Sequence, residues 1–256
     1  MNDPTRYETA AGVATITLDS PERRNAFSQP LLQGLMAGLR QAEADDDVRV
    51  VVITNTGTTF SAGADLKEDR ASLGPDPLTF VDICHTLDAF DKPVLARVAG
   101  HAAGGGAALA VCCDLAIAVD TARIGITEVR IGIPPNGVAA LLAHRLSRRA
   151  LYESFLVGEM MTAARAVELG MLNLAVPTAE LDDTVARYVD GLVRGGPKSL
   201  AVTKRMLNAM GQLSPEQAEL LADEASRGAF ERAEAREGVT AFLQKRPAAW
   251  IPTDPR

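Results

Sequence analysis

The sequence predicts an α/β fold: a largely parallel sheet in its first half, then a helical region. Three observations carry this. Segments of strand and helix character alternate from the N-terminus to about residue 137, the pattern of parallel strands joined by crossover helices. Val48 to Thr54 is dominated by β-branched residues, as in a strand buried on both faces. After residue 137 helical spacing takes over almost completely.

The elements follow in order. Val13–Leu18 reads as a strand and stops at the turn signal Asp19-Ser20-Pro21. Ser28 is placed to cap a helix whose apolar residues Leu31, Leu32, Leu35, Met36 and Leu39 share one face. Strand Val48–Thr54 comes next, then helix Leu78–Phe90 and strand Pro93–Val98. A short helix should start near Gly105 or Gly106, ahead of strand Asp114–Val119. Beyond residue 137, helices are expected at Gly137–Leu146, Ser147–Val157, Thr162–Leu169, Ala179–Val193, Lys198–Met210 and Pro215–Gln244, with one strand at Leu172–Val176. Gly195-Gly196-Pro197 and Gly211 break the helical run. The resulting division is a core over 1–195 and a helical region over 196–256.

With 256 residues, 47% hydrophobic and 23% charged, the composition is that of a globular protein. The 26 basic and 33 acidic residues leave a net charge of −7, which argues against general binding to nucleic acid or membrane surfaces. Met1–Arg6 is polar and no apolar run follows, so no targeting segment is expected. The uncharged stretch Val98–Cys113 spans 16 residues, includes His101, and is shorter than the ~20 a membrane span requires. Three cysteines, Cys84, Cys112 and Cys113, with no CxxC spacing, predict buried reduced thiols in a cytoplasmic protein and no zinc site.

Two runs of tiny residues carry the chemistry. Phe60-Ser61-Ala62-Gly63-Ala64-Asp65-Leu66-Lys67-Glu68 and Gly100-His101-Ala102-Ala103-Gly104-Gly105-Gly106 each read as passing from a strand toward a helix. Tiny residues admit a ligand to main-chain N–H groups, and a helix N-terminus aims those groups at an oxygen. Two such loops can converge on one developing oxyanion. The plainer reading of the first loop is a packing turn with Asp65 capping a helix from Leu66. Three consecutive glycines exceed the need of a turn, which implies a close approach to the backbone. Neither a G-x-G-x-x-G nor a Gly-Lys-Ser/Thr pattern is present, so nucleotide loops are excluded. Without a G-x-S-x-G motif a hydrolase triad has little support. Of the three histidines, His85 and His144 read as surface or packing residues, and His101 as a possible lining of the site. Glu128 stands alone in the apolar stretch Ile124–Gly137. Isolation there raises a carboxyl pKa, as a general acid or base requires; the competing reading is a salt bridge to Arg130. Asn136 is a second polar group, in a Pro/Gly bend.

Taken in order, these motifs resemble the enoyl-CoA hydratase/isomerase (crotonase) family over nearly the whole chain. The matching features are Asn25-Ala26, the Ser-Ala-Gly-Ala-Asp-Leu loop, the triple glycine followed by Cys113-Asp114, and Thr127-Glu128…Gly132. Further along come Gly158…Ala163…Ala166…Gly170…Val176 and Glu237-Gly238…Ala241-Phe242-Leu243…Lys245-Arg246. The resemblance implies a spiral of ββα turns with a C-terminal trimerisation region, and a homotrimer or dimer of trimers. It implies an oxyanion hole from the N–H groups of Ala64 and Gly105, with Glu128 as acid/base and Asn136 beside it. Arg24, Ala26, Ala62, Asp65, Leu66 and Gly104 would line the coenzyme A groove. Phe242 and Lys245 would reach the nucleotide end in a neighbouring subunit. Coenzyme A enters as part of an acyl-CoA thioester substrate; no separate cofactor, metal, nucleic acid or membrane is implied. One departure stands out. The family's hydratases carry a second glutamate just after the glycine loop, and that position is Ala108 here. The expected activity is therefore enoyl-CoA hydration or isomerisation. The alternatives are an acyl-CoA-binding protein with reduced catalysis, or another family reaction such as decarboxylation or thioester hydrolysis.

Overall fold

In the computed structural model, which describes residues 3–211 and 213–252, the chain opens with β1 (Thr5–Ala10) and β2 (Val13–Leu18), an antiparallel pair. α1 (Gln29–Ala44) crosses to β3 (Val50–Asn55), which lies parallel to β2. All six residues of β3 are buried, as its β-branched composition predicts. A short β4 (Thr59–Ser61) follows, then α2 (Phe80–Ala89). Two more turns repeat that order. β5 (Val94–Val98), β6 (His101–Ala103) and α3 (Gly105–Cys112) form one; β7 (Leu115–Val119), β8 (Arg123–Gly125) and α4 (Asn136–Leu142) form the next. Strand, short strand, helix is the ββα spiral that the resemblance implies.

The long strands build a six-stranded sheet in the order β1-β2-β3-β5-β7-β10, where β10 is Leu174–Val176; beyond the first pair it is parallel throughout. The short strands build a second sheet, β4-β6-β8-β9, with β9 at Met161–Thr162. Residue patterning did not announce this second sheet, nor β1. Strands of two or three residues have no period to read, and β1 is mostly exposed and polar.

The last third is helical: α5 (Arg148–Tyr152), α6 (Ala163–Glu168), α7 (Leu181–Arg194), α8 (Pro197–Met210), α9 (Pro215–Ser226) and α10 (Ala233–Leu243). Two expectations are corrected here. Residues 153–157 continue α5 as a wider π turn ending at Gly158 (φ 63°). The long helix expected over 215–244 breaks at Gly228, whose φ of 67° lies in the left-handed region, so α9 and α10 are separate. α8 is fastened to the core by Lys204. Its side chain is 8% exposed, and Nζ reaches Asp114 (2.7 Å) and the Lys92 carbonyl (3.2 Å).

α3 is buried on every side, including Ala107, Ala108, Cys112 and the following Cys113. A helix with no polar face belongs in a core. The three cysteines are buried free thiols, as expected. Gly106 explains how α3 sits so deep: a Cβ built on it would stand 2.2 Å from the Ser61 carbonyl oxygen. The third glycine of the triplet thus serves protein packing, with no ligand approach involved. No helix among the described residues is long and apolar enough to cross a membrane.

Because the Ser61 carbonyl belongs to backbone and has little room to yield, Gly106→Ala should destabilise the protein by about 1–3 kcal/mol. A lowered urea midpoint measures this. A wild-type midpoint would mean that α3 and β4 are not in contact there.

Candidate active site

The first loop is held from below by a buried asparagine. Asn25 sits in the left-handed region (φ 51°). Its Nδ2 donates to the carbonyls of Thr56 (3.1 Å) and Thr59 (2.7 Å), and its Oδ1 accepts from Ser20 N–H (2.8 Å). Ser61 Oγ donates to the Asn25 carbonyl (2.8 Å) and accepts from Gly63 N–H (3.1 Å). Phe27 then forms a parallel bridge opposite Ala64: Phe27 N–H donates to the Gly63 carbonyl (2.7 Å), and Asp65 N–H donates to the Phe27 carbonyl (3.4 Å). Successive backbone groups of an extended chain point to opposite sides. Ala64's own N–H therefore points away from Phe27, and it meets no acceptor among the described residues.

This corrects one expectation. The first loop does not run into a helix; residues 66–69 are a turn and α2 begins only at Phe80. Asp65 accordingly caps no helix. Its buried carboxylate accepts from Lys67 N–H (2.9 Å) and pairs with Arg23.

The second loop does run into a helix. Gly104 (φ 54°, ψ −126°) donates its N–H to the Gly125 carbonyl (2.8 Å) and precedes α3. Gly105 N–H opens α3, where a helix has no internal acceptor to offer, and it too lacks a partner among the described residues. The loops touch: a Cβ on Gly63 would stand 2.9 Å from the Gly105 nitrogen.

Glu128 begins a single tight turn, Glu128–Ile131, that follows β8 and closes on Gly132. Its carboxylate lies over Gly104, where a Cβ would be 2.8 Å from Oε1. Oε2 is buried and has no hydrogen-bond partner among the described residues. Burial raises the Glu128 pKa, against a smaller downward pull from the backbone N–H groups of Glu128 and Thr127. The competing salt bridge is absent: Arg130 pairs with Glu159 (2.7 Å) and donates to the Val157 carbonyl (3.0 Å).

A cavity of about 460 Å³ joins these groups; Ala64, Gly105, Glu128 and Asn136, the first residue of α4, all line it. All four residues expected to do chemistry thus share one compartment. Its remaining walls are mostly apolar, and Phe27 stacks on Phe80 with ring centroids 5.1 Å apart. Motif reading missed Phe27, Phe80 and Gln29, and gave Glu68 no role. Glu68 Oε1 accepts from Gln29 N–H (2.7 Å), doing at the start of α1 what the Ser28 side chain does not. Gln29 Nε2 donates to the Leu78 carbonyl (2.6 Å). No local pattern announces these contacts, which join segments some forty to fifty residues apart.

The other expected residues lie outside the cavity lining. Arg24, Ala26, Ala62, Asp65 and Leu66 form an adjoining strip: Ala62 N–H donates to the Arg24 carbonyl (3.0 Å), and Leu66 is 67% exposed. Gly104 supports Glu128 from beneath. Phe242 and Lys245, at the end of α10, are exposed and not part of this wall. His101, expected as a possible lining, is exposed outside it; its Nδ1 accepts from Arg123 N–H (3.0 Å). No cluster of metal-ligating side chains occurs among the described residues.

The chain is similar to known proteins along nearly its whole length. The family model described as enoyl-CoA hydratase/isomerase matches residues 8–252. A putative enoyl-CoA hydratase of Thermus thermophilus is 35% identical over 242 residues, covering 92% of this chain and 96% of that protein. The crystal structure of an enoyl-CoA hydratase from Mycobacterium smegmatis superposes with a TM-score of 0.88 at 29% identity, covering 97% of this chain and 99% of the other. Human enoyl coenzyme A hydratase domain-containing protein 3 gives 0.89 at 28% identity, covering 96% and 100%.

The buried carboxylate has a cost in stability. With a folded pKa above the unfolded value, the native state holds its proton longer, so stability falls as pH rises through that interval. Glu128→Gln removes the titration. It should raise Tm at pH 7.5, and the gain should shrink as pH falls toward the ordinary glutamate range near 4.3. A lower Tm for the variant at pH 7.5 would show the carboxylate to be stabilised by a partner.

Proposed function

The chain belongs to the enoyl-CoA hydratase/isomerase family, and on that premise we propose that it transforms an acyl-CoA thioester through an enolate. The observation that carries this reading is the meeting, at one mostly apolar cavity, of two residues with unpartnered N–H groups and of Glu128, whose buried Oε2 has no hydrogen-bond partner among the described residues. The thioester oxygen accepts from Ala64 and Gly105. As a proton leaves the carbon next to the carbonyl, negative charge moves onto that oxygen and both hydrogen bonds strengthen. Each such donor is worth about 2.7–4 kcal/mol in a transition state. Glu128 takes the proton; its raised pKa makes it a stronger base than an exposed glutamate.

One base serves isomerisation fully. Glu128 removes a proton from one side of the three-carbon unit and returns it to the other, shifting the double bond between the 3-enoyl and 2-enoyl positions. Hydration asks more, because water must be held and deprotonated while a proton is delivered to the neighbouring carbon. Ala108 is fully buried and offers only a methyl group. Hydration would then depend on Glu128, with Asn136 placing the water. The reading is therefore hydratase/isomerase, with isomerisation suiting the lone carboxylate better. Ala108 also motivates the second reading, a thioester-binding protein with reduced catalysis.

Coenzyme A is proposed to lie along the strip from Arg24 and Ala26 to Ala62, Asp65 and Leu66, outside the cavity. The assembly is proposed to be a trimer or dimer of trimers built through residues 196–256. Exposure of Leu220 (69%), Phe230 (85%), Phe242 (81%) and Leu243 (73%) on and between α9 and α10 supports this. A neighbour's Phe242 and Lys245 would then close over the nucleotide end.

Turnover of crotonyl-CoA and of 3-enoyl-CoA, followed by mass spectrometry, tests the reading. Glu128→Gln should lose about 10²–10⁴-fold. The acid limb of wild-type kcat/KM should lie above the ordinary glutamate range, because the base works only when ionised. Wild-type hydration no faster than that of Glu128→Gln removes the hydratase half. Normal binding of acyl-CoA with no turnover of any thioester favours the second reading. Gly105→Val should lose more activity than stability, since a β-branched side chain beside the Gly105 N–H would crowd the proposed site of the carbonyl oxygen; normal turnover in the variant would show the second loop to be misassigned.

A further inference from the structure

Two cavities of this molecule share a wall. Beyond the site cavity lies a second one of about 670 Å³, and Val81 of α2 and Gly137 of α4 line both. The helices meet there, since a Cβ on Gly137 would stand 2.8 Å from Val81 Cγ2. The wall is thus one valine seated on one glycine. Its two sides differ in character. Phe27, Leu32, Phe80 and Val138 face the site cavity. His85, Asp88, His144, Arg145 and Asn208 face the other. There Arg145 pairs with Asp88, and Asn208 Nδ2 donates to the Asp88 carbonyl (3.0 Å).

We propose that Val81, seated on Gly137, ends the acyl compartment and sets the longest acyl chain that the protein accepts. This rests on the thioester reading of the site. The two substituents of a planar thioester carbonyl diverge on either side of the C=O axis. The strip assigned to coenzyme A does not line the cavity, so the acyl half takes the cavity. A chain long enough to reach Val81 must displace it. Past that point alkyl carbons would cover a guanidinium, a carboxylate and two imidazoles, and withdrawing such groups from water is costly without new partners. The polar lining therefore reinforces the steric stop. Val81 is in this sense a specificity-determining residue, and Gly137 is what lets it sit so close to α4.

The test compares kcat/KM for crotonyl-, hexenoyl-, octenoyl- and decenoyl-CoA in the wild type, Val81→Ala and Val81→Phe. In the wild type kcat/KM should fall off beyond the chain length that reaches Val81. Val81→Ala should raise the octenoyl-to-crotonyl ratio roughly tenfold, the scale of a methylene-sized change in an apolar pocket. Val81→Phe should lower the hexenoyl-to-crotonyl ratio, and it decides the matter alone if the alanine variant does not fold. Should turnover be absent, the dissociation constants of the same series replace kcat/KM. Ratios that stay at the wild-type value in both variants while Glu128-dependent turnover persists overturn the wall alone. Failure of every thioester to bind overturns the thioester reading and the wall with it.

Discussion

The closeness of two backbone segments is the constraint on which the rest of this structure depends. Gly63 lies against the Gly105 nitrogen, and Gly106 lies against the Ser61 carbonyl. A methyl group at either place would meet main chain, which cannot rotate away as a side chain can. The absence of side chains is therefore structural before it is functional. It sets β4 and α3 at a separation where the N–H groups of Ala64 and Gly105 open into one cavity. The fold supplies the rest by repetition: each turn of the spiral lays a long strand in the main sheet and a short one in the second. The three short strands β4, β6 and β8 lead into the loop of Ala64, the loop of Gly105 and the turn of Glu128. The second sheet is thus the frame of the site.

Glu128 illustrates how such a frame is used. A buried carboxylate ordinarily acquires a cation or several donors. Arg130 is two residues away and is directed to Glu159 instead. Oε2 finds no partner among the described residues, and burial outweighs the smaller downward pull of the Glu128 and Thr127 N–H groups. Gly104 contributes as well, because any side chain there would occupy the volume of Oε1. Stability is given up locally, and large buried elements such as β3 and α3 hold the turn in place despite it. That division between a strained functional group and an over-determined core recurs wherever proteins keep reactive groups.

Most of the long elements were legible from residue periodicity. β3 and the helix through Leu31 and Leu39 declare themselves because burial there follows sequence spacing. The second sheet was not legible, since Thr59–Ser61 or Arg123–Gly125 is too short to show alternation. Their pairing is decided by partners some twenty to forty residues distant. The site was legible in part. Ala64, Gly105, Glu128 and Asn136 stood out as tiny or isolated polar residues in apolar surroundings, and they line one cavity. His101 was misjudged because proximity in sequence to the glycines says nothing about direction; on a strand of the second sheet it faces Arg123. The triple glycine was over-read in one position, Gly106, where a ligand and a carbonyl make the same demand on sequence. The contact between Glu68 and Gln29 was invisible because it is tertiary.

The two backbone donors are not equivalent, and the difference follows from how each is presented. Gly105 N–H stands at the start of α3, so the aligned peptide dipoles of that helix add a partial positive charge behind it. α3 is buried on every side, where little solvent screens that charge. Ala64 N–H belongs to an extended segment bridged to Phe27 and has no helix behind it. Its strength is directional: bonds from Phe27 to Gly63 and Asp65 leave it one orientation. One donor thus brings field and the other brings aim. Under the enolate reading, charge builds on the oxygen only as the proton leaves, so the field of α3 favours the transition state over the neutral thioester, while the fixed Ala64 amide selects where the carbonyl must lie for Glu128 to reach its neighbouring carbon.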